Sequence, residues 1–170
     1  YTEFARETGD DADFDAIEES LDRMDRMIDD ILTFARSGGT IEEMEAVPLA
    51  ETATAAWESV ESGDSDFTVA CDDVTIRADR SRLQHVFEHL FRNAIEHTDR
   101  PVDITVGTRD GGFFVADDGE GIAPEDREDV RQQGYTTGDE GVGLGLSIVA
   151  TLVEAHGWTV TVTEGADGGA

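Results

Sequence analysis

Lysine is absent from this chain of 170 residues, whose 12 cationic side chains are all arginine, against 40 Asp and Glu, for a formal net charge of −28. Without a basic cluster, such a carboxylate-coated chain is excluded as a binder of nucleic-acid phosphates. It also lacks the polybasic segments that draw proteins to anionic membranes. The one cysteine, Cys71, rules out an internal disulfide framework and fits a reducing compartment. No run of 18 apolar residues offers a transmembrane helix, and the start has no signal-peptide apolar core. The expected location of this segment is cytoplasmic, without membrane contact. An apolar content of 38% argues against disorder. The charge instead reads as a solvated surface of halophilic type, since at 1 M salt a Debye length of about 3 Å silences self-repulsion. The chain starts at Tyr1, not Met, and ends within a Gly-rich turn, so both ends are expected to continue in a longer protein.

Two regions differ in pattern. In the first, Ile17, Leu21, Met24, Ile28, Ile31 and Ala35 repeat at intervals of three and four, the seam of a coiled coil, which predicts a helix that needs a partner. Tyr1 to Glu7, then Thr8-Gly9-Asp10-Asp11, reads as the end of a preceding helix and a connection, so residues 1–38 are expected to be part of a helical hairpin. Ser37-Gly38-Gly39 ends the long helix, and residues 39–46 read as a linker. Residues 47–170 then alternate helix and strand signals. Pro48 to Glu61 is predicted as a helix. Phe67 to Cys71 and Val74 to Ala78 read as short strands either side of Asp72-Asp73. Arg80 to Thr98 is the strongest helix, burying Leu83, Val86, Phe87, Leu90, Phe91, Ala94 and Ile95. Val102, Ile104 and Val106 alternate as a strand, Asp110-Gly111-Gly112 supplies a turn, and Phe113 to Ala116 returns. Residues 123–143 have no period. A helix from Leu144 to His156 stops at Gly157, followed by a strand through Trp158, Val160 and Val162. With the strands mostly in hairpins, the fold class is α+β: a two-layer sandwich of a mixed or antiparallel sheet with helices on one face.

Three clusters carry possible chemistry. His85, His89, Asn93 and His97 recur every four residues on the polar side of the 80–98 helix, either as plain surface polarity or as a functional face. His85-Val86-Phe87-Glu88-His89 also matches the H-x-x-E-H pattern of inverted zinc proteases, which leaves a zinc hydrolase as a remote alternative. Asp117-Asp118-Gly119-Glu120-Gly121 is either a simple turn or a place where a flat ligand meets bare backbone beside an acid that can accept from an amino group. Gly141-Val142-Gly143-Leu144-Gly145-Leu146 opens an apolar helix, where glycine amides suit an anion such as phosphate. A dinucleotide fingerprint is disfavoured, because residues 131–140 are no strand and the spacing is not G-x-G-x-x-G.

In this order the clusters become specific. Residues 83–98 (LQHVFEHLFRNAIEHT), 115–122 (VADDGEGI) and 141–149 (GVGLGLSIV) resemble the N, G1 and G2 boxes of the histidine-kinase catalytic domain, in the superfamily shared with gyrase and the mismatch-repair ATPases. Residues 156–169 resemble the start of its last glycine box, and IEESLDRMDRMIDDILTFAR resembles the second helix of the kinase dimerisation hairpin. The resemblance implies that Mg2+ and ATP are the ligands and that Asn93 binds magnesium. It implies that Asp117 accepts the adenine amino group, with Gly119, Gly121 and Ile122 beside the ring. Gly141, Val142, Gly143, Leu144, Gly145 and Leu146 would approach the phosphates, His97 would join the nucleotide site, and Tyr135, Thr136 and Thr137 would belong to a mobile lid spanning 123–140.

The implied activity is transfer of the ATP γ-phosphoryl to a histidine outside this chain, then to a response-regulator receiver domain, with homodimerisation through the N-terminal helices. There are departures from the pattern. His89 stands where many kinases have Asn and hydrolysing relatives have Glu, and is the candidate catalytic residue alongside Asn93. Glu96 replaces a frequent cation, which Arg92, Arg127 or Arg131 would have to offset. None of His85, His89, His97 or His156 lies in a phosphoacceptor context. The rival within the superfamily is a non-kinase ATPase or ATP-binding regulatory module.

Overall fold

The computed structural model describes residues 4–37, 41, 43–96, 98, 100–119 and 144–163. The chain divides into two compact units, Tyr1–Arg36 and Ser37–Ala170. In the first, helix α1 runs unbroken from Phe4 to Ser37. The connection expected at Thr8–Asp11 is therefore helical. A lone glycine costs a helix only about 1 kcal/mol relative to alanine, and this segment has no proline to force a break. The seam is bare: Ile17, Leu21, Met24, Ile28 and Ile31 are each more than half exposed.

The second unit holds β1 (Glu45–Pro48), α2 (Leu49–Ser59), β2 (Asp66–Val69), β3 (Thr75–Ala78), α3 (Arg80–Glu96), β4 (Asp103–Arg109), β5 (Gly112–Asp117) and α4 (Leu144–Ala155). Its fold is α+β, with helices on one side of mixed and antiparallel sheets. β2 pairs parallel with β4, and β4 pairs antiparallel with β5. The turn between β4 and β5 is Asp110-Gly111, with φ of 51° and 79°, the positive pair that an Asp-Gly hairpin supplies.

The strands β2 and β3 form where the sequence predicts them, but not as a hairpin. Asp73, at φ 54°, turns the chain away, and β3 pairs antiparallel with β1 in a separate two-stranded ladder, Val47 opposite Ile76. The strand β1 has no counterpart in the sequence reading: four residues with one buried side chain and a terminal proline give no alternation to detect. Its first two residues, Glu45 and Ala46, fall in the stretch read as linker.

Period-two alternation sends Ile104 and Val106 of β4 and Phe113 and Val115 of β5 to the helical side. There they join Leu83, Phe87 and Phe91 of α3 and Ala53 and Ala56 of α2. Trp57, Phe67 and Phe91 contact one another at ring-centroid distances of 5.2–5.7 Å, favourable geometry beyond their buried area. On the opposite face of the sheet the Phe114 ring lies over Gly107, where a Cβ would come within 2.6 Å of it, and the Arg109 guanidinium sits 5.5 Å from the centre of that ring.

The other flank of α3, Val86 and Leu90, packs on Ile148, Val149, Leu152 and Val153 of α4. Gly157, at φ 76°, ends α4 in a Schellman turn, with Trp158 N–H donating to the Val153 carbonyl and Gly157 N–H to that of Glu154. The predicted strand 158–162 belongs to neither sheet among the described residues. Trp158 and Val160 alternate because they pack on the core, which a period-two pattern cannot distinguish from ladder pairing.

Candidate functional site

The site is built around α3. Its first turn is fixed by Asp79, whose carboxylate accepts from Arg82 N–H at 3.0 Å, an N-cap contact. Asp79 N–H in turn donates to Nε2 of buried His156 at 3.1 Å, while His156 Nδ1 lies 2.7 Å from the Leu152 carbonyl. With Nε2 accepting, Nδ1 must be the protonated nitrogen that donates to Leu152. This contact sets the C-terminal end of α4 beside the N-terminal end of α3, so the two packed helices run antiparallel. The 12 residues of α4 rise about 18 Å, which brings Leu144 level with the turn of α3 that holds Asn93. Gly145 and Leu146 follow in that first turn.

At the far end of α3, Thr98 donates back to the Ala94 carbonyl, and its hydroxyl reaches the end of β5. A Cβ on Gly119 would lie 2.9 Å from Thr98 Oγ1 and 2.7 Å from Asp117 Oδ1, so a side chain there would push one or both of these groups aside. Gly119 N–H donates to Asp117 Oδ1 at 2.8 Å. Burial pushes the Asp117 carboxyl above its ordinary value; the Gly119 N–H pulls it down, and the neighbouring Asp118 charge pushes it up. The carboxylate is thus aimed by its own turn and partly withdrawn from water, with further acceptor capacity for a ligand's N–H.

Of the two alternatives for the histidine stripe, plain surface polarity does not describe His89, which is 7% exposed. Burial first, then the Arg92 and His85 charges, lower its pKa to about 4, so it is a neutral imidazole at pH 7. His85 and Asn93 are half-buried. Glu88 accepts from Ser59 of α2 and from Gln84. Among the described residues no three His, Cys, Asp or Glu side chains gather to hold a metal ion. Cys71 is buried, which together with Asp72 raises its thiol pKa.

Residues 78–170 match the family described as Histidine kinase-, DNA gyrase B-, and HSP90-like ATPase. The chain belongs to this ATPase family. Its curated relatives include the sensor histidine kinase ZraS of Salmonella typhi, 38% identical over 92 residues, 51% of this chain and 20% of that one. Another is the sensor histidine kinase CpxA of Escherichia coli, 28% identical over 169 residues, 90% of this chain and 37% of that one. Among solved structures, full-length ShkA in complex with AMPPNP is 34% identical with a TM-score of 0.62, over 84% of this chain and 33% of that one. Within the family, the chain is an ATP-binding catalytic domain of the histidine-kinase type. It spans between about a fifth and two-fifths of the length of the curated relatives it matches.

In this ATPase domain Asn93, Asp117, Gly119 and the start of α4 come to one end of the α3–β5 layer. His97, Gly121, Ile122, Tyr135, Thr136, Thr137, Gly141, Val142 and Gly143 lie outside the described residues, as does the lid segment. Two residues to which the sequence reading gave no role, Thr98 and Arg100, touch the turn after Asp117. Thr98 closes the stretch 83–98 that resembles the N box, with no role assigned to it there, and Arg100 belongs to no apolar period or box.

Proposed function

We propose that this chain binds Mg-ATP for a two-component sensor histidine kinase, whose γ-phosphoryl passes to a histidine beyond this segment and then to a response-regulator receiver domain. The seat formed by Asp117, Gly119 and Thr98 at the end of α3 supports this reading most strongly. There a carboxylate held by its own turn can accept from the adenine amino group, and the bare Gly119 backbone leaves room for a flat ring. The amide oxygen of Asn93 suits a magnesium ion that phosphate oxygens and water otherwise surround. Bound magnesium would offset triphosphate charge. The amides of Gly141, Val142, Gly143, Leu144, Gly145 and Leu146 would do the same beside the positive end of α4. His97, Gly121, Ile122 and the lid residues Tyr135, Thr136 and Thr137 complete the proposed nucleotide contacts. His89, neutral, acts by hydrogen bonding rather than as a cation. Phosphoryl transfer depends mainly on positioning and charge stabilisation, so no side-chain nucleophile is required here.

Residues 1–38 serve as part of the dimerisation hairpin, 39–46 as the connection and 47–170 as the ATP-binding domain. Two α1 seams closing on each other make the working form a homodimer, located in the cytoplasm. With a net charge of −28 and no lysine, the chain suits concentrated salt. The deciding experiment is titration with a fluorescent ATP analogue and Mg2+ in high and in low salt. Asp117→Asn should weaken binding at least about tenfold, as expected when a charge-assisted hydrogen bond is lost. Lower salt should weaken wild-type affinity and fold stability together. Equal binding by Asp117→Asn and wild type would refute the adenine site.

A further inference from the structure

The turn that carries Asp117 and Gly119 is held from outside by an arginine that belongs to no box. Arg100 lies in the connection between α3 and β4. Its Nη1 donates to Asp118 Oδ2 and to the Pro101 carbonyl, each at 3.3 Å, and its Nη2 donates to the Asp118 carbonyl. The other carboxylate oxygen of Asp118 accepts from Asp103 N–H at 2.8 Å, and Asp118 N–H donates to the Asp103 carbonyl at 3.3 Å. Both side-chain oxygens and both main-chain polar groups of Asp118 are therefore engaged, with Arg100 and the start of β4 on either side. Asp118 sits between the residue that reads the base and the glycine that Thr98 underlies. Its carboxyl is held below the usual carboxylate range, first by Asp103 N–H, with burial pushing the other way and Arg100 then adding to the lowering.

We propose that Arg100 is a positioning residue of the nucleotide site: by clamping Asp118 it fixes the direction of the Asp117 carboxylate and the seat at Gly119, and so sets recognition of the purine ring. This rests on the assignment of Asp117 to adenine. The geometry points to the base and not to the phosphates, because every contact of the guanidinium in this cluster goes to the β5 turn or to its own connection. The Arg100 side chain is 57% exposed. An exposed ion pair adds little to fold stability by itself, so the clamp is read at the ligand, not at the melting temperature. Lysine cannot replace it, since one ammonium does not span the Asp118 carboxylate, its carbonyl and the Pro101 carbonyl as a planar fork does.

The test compares Arg100→Ala, Arg100→Lys and Asp118→Asn with wild type in the whole chain, measuring affinity for Mg-ATP, Mg-ITP and adenosine, and melting without nucleotide. Asp118→Asn keeps an acceptor for Asp103 N–H while removing the charge that holds Arg100, so it separates the clamp from the turn. Arg100→Ala and Asp118→Asn should weaken ATP and adenosine by the same factor, about five- to twentyfold. They should also lower the preference for ATP over ITP, which lacks the amino group, with melting shifted by less than about 2 °C. Arg100→Lys should recover only part of the loss. A loss for ATP with none for adenosine would make Arg100 a phosphate ligand and overturn the proposal. So would a lowered melting point with unchanged affinities and base preference. Should Asp117→Asn bind ATP and ITP as wild type does, the adenine assignment itself fails, and the clamp fails with it.

Discussion

Ile17, Leu21, Met24 and Ile28 on α1 follow the same three-and-four rhythm as Leu83, Val86, Phe87 and Leu90 on α3. The first four are more than half exposed, whereas Leu83, Val86 and Phe87 are at most 1% exposed. The rhythm states which face of a helix is apolar; what covers that face comes from elsewhere in the chain. For α3 the cover is double, with the sheet and α2 on one flank and α4 on the other. One of its polar positions, His89, is buried as well.

The contrast breaks most sharply at Phe87. Phe87→Ala should destabilise the second unit by about 3–5 kcal/mol, the usual cost of truncating a buried ring, measured by denaturant unfolding. A loss below about 1 kcal/mol would mean that α3 is no better covered than α1. His89 sharpens it by pH. Its folded pKa of about 4 lies below the ordinary 6.5, so the unfolded chain takes up the proton first. The stability this residue contributes is therefore complete above pH 6.5 and falls away towards pH 4, by about 3 kcal/mol across that window. Acidic side chains titrate there too, so the measure is the difference in stability curves between wild type and His89→Gln. Parallel curves would show His89 open to water. At the end of α3, Gly119→Ala places a methyl against Asp117 and Thr98 and should cost about 1–3 kcal/mol, with a parallel loss of ATP-analogue binding; unchanged binding would mean the seat is not used. Smallest is Ile28→Ala on α1, within about 0.5 kcal/mol for the second unit. Sedimentation should nonetheless show weakened self-association. A large stability loss there would reveal cover that the bare seam lacks.

Local signals made much of the fold legible. The α3 stripe, the Asp110-Gly111 turn and the stop at Gly157 each depend on neighbours within a few residues, and each formed as the sequence predicts. What sequence reasoning missed is non-local. The parallel pairing of β2 with β4 joins segments nearly forty residues apart, and nothing in two short apolar runs states that they pass each other's hairpin partners by. The strand β1 is too short to show alternation, and the unbroken α1 through Gly9 shows that a single helix-weakening residue does not make a turn. In the proposed site, Asp117 and Gly119 stood out as candidates because residues 115–122 resemble a glycine box. The contacts of Thr98 and Arg100 with this turn were not legible, because they come only from what the fold brings together.

The ring of Phe114 over Gly107 has a consequence for both positions. The two residues occupy one volume between them, each making the other's identity a condition of its own. A side chain at 107 fits only if the ring at 114 is smaller or moved aside, and a smaller side chain at 114 with Gly107 unchanged leaves a hole beneath Arg109. The back of the sheet thus couples the two positions sterically: a substitution at either one alters the space that the other has to fill.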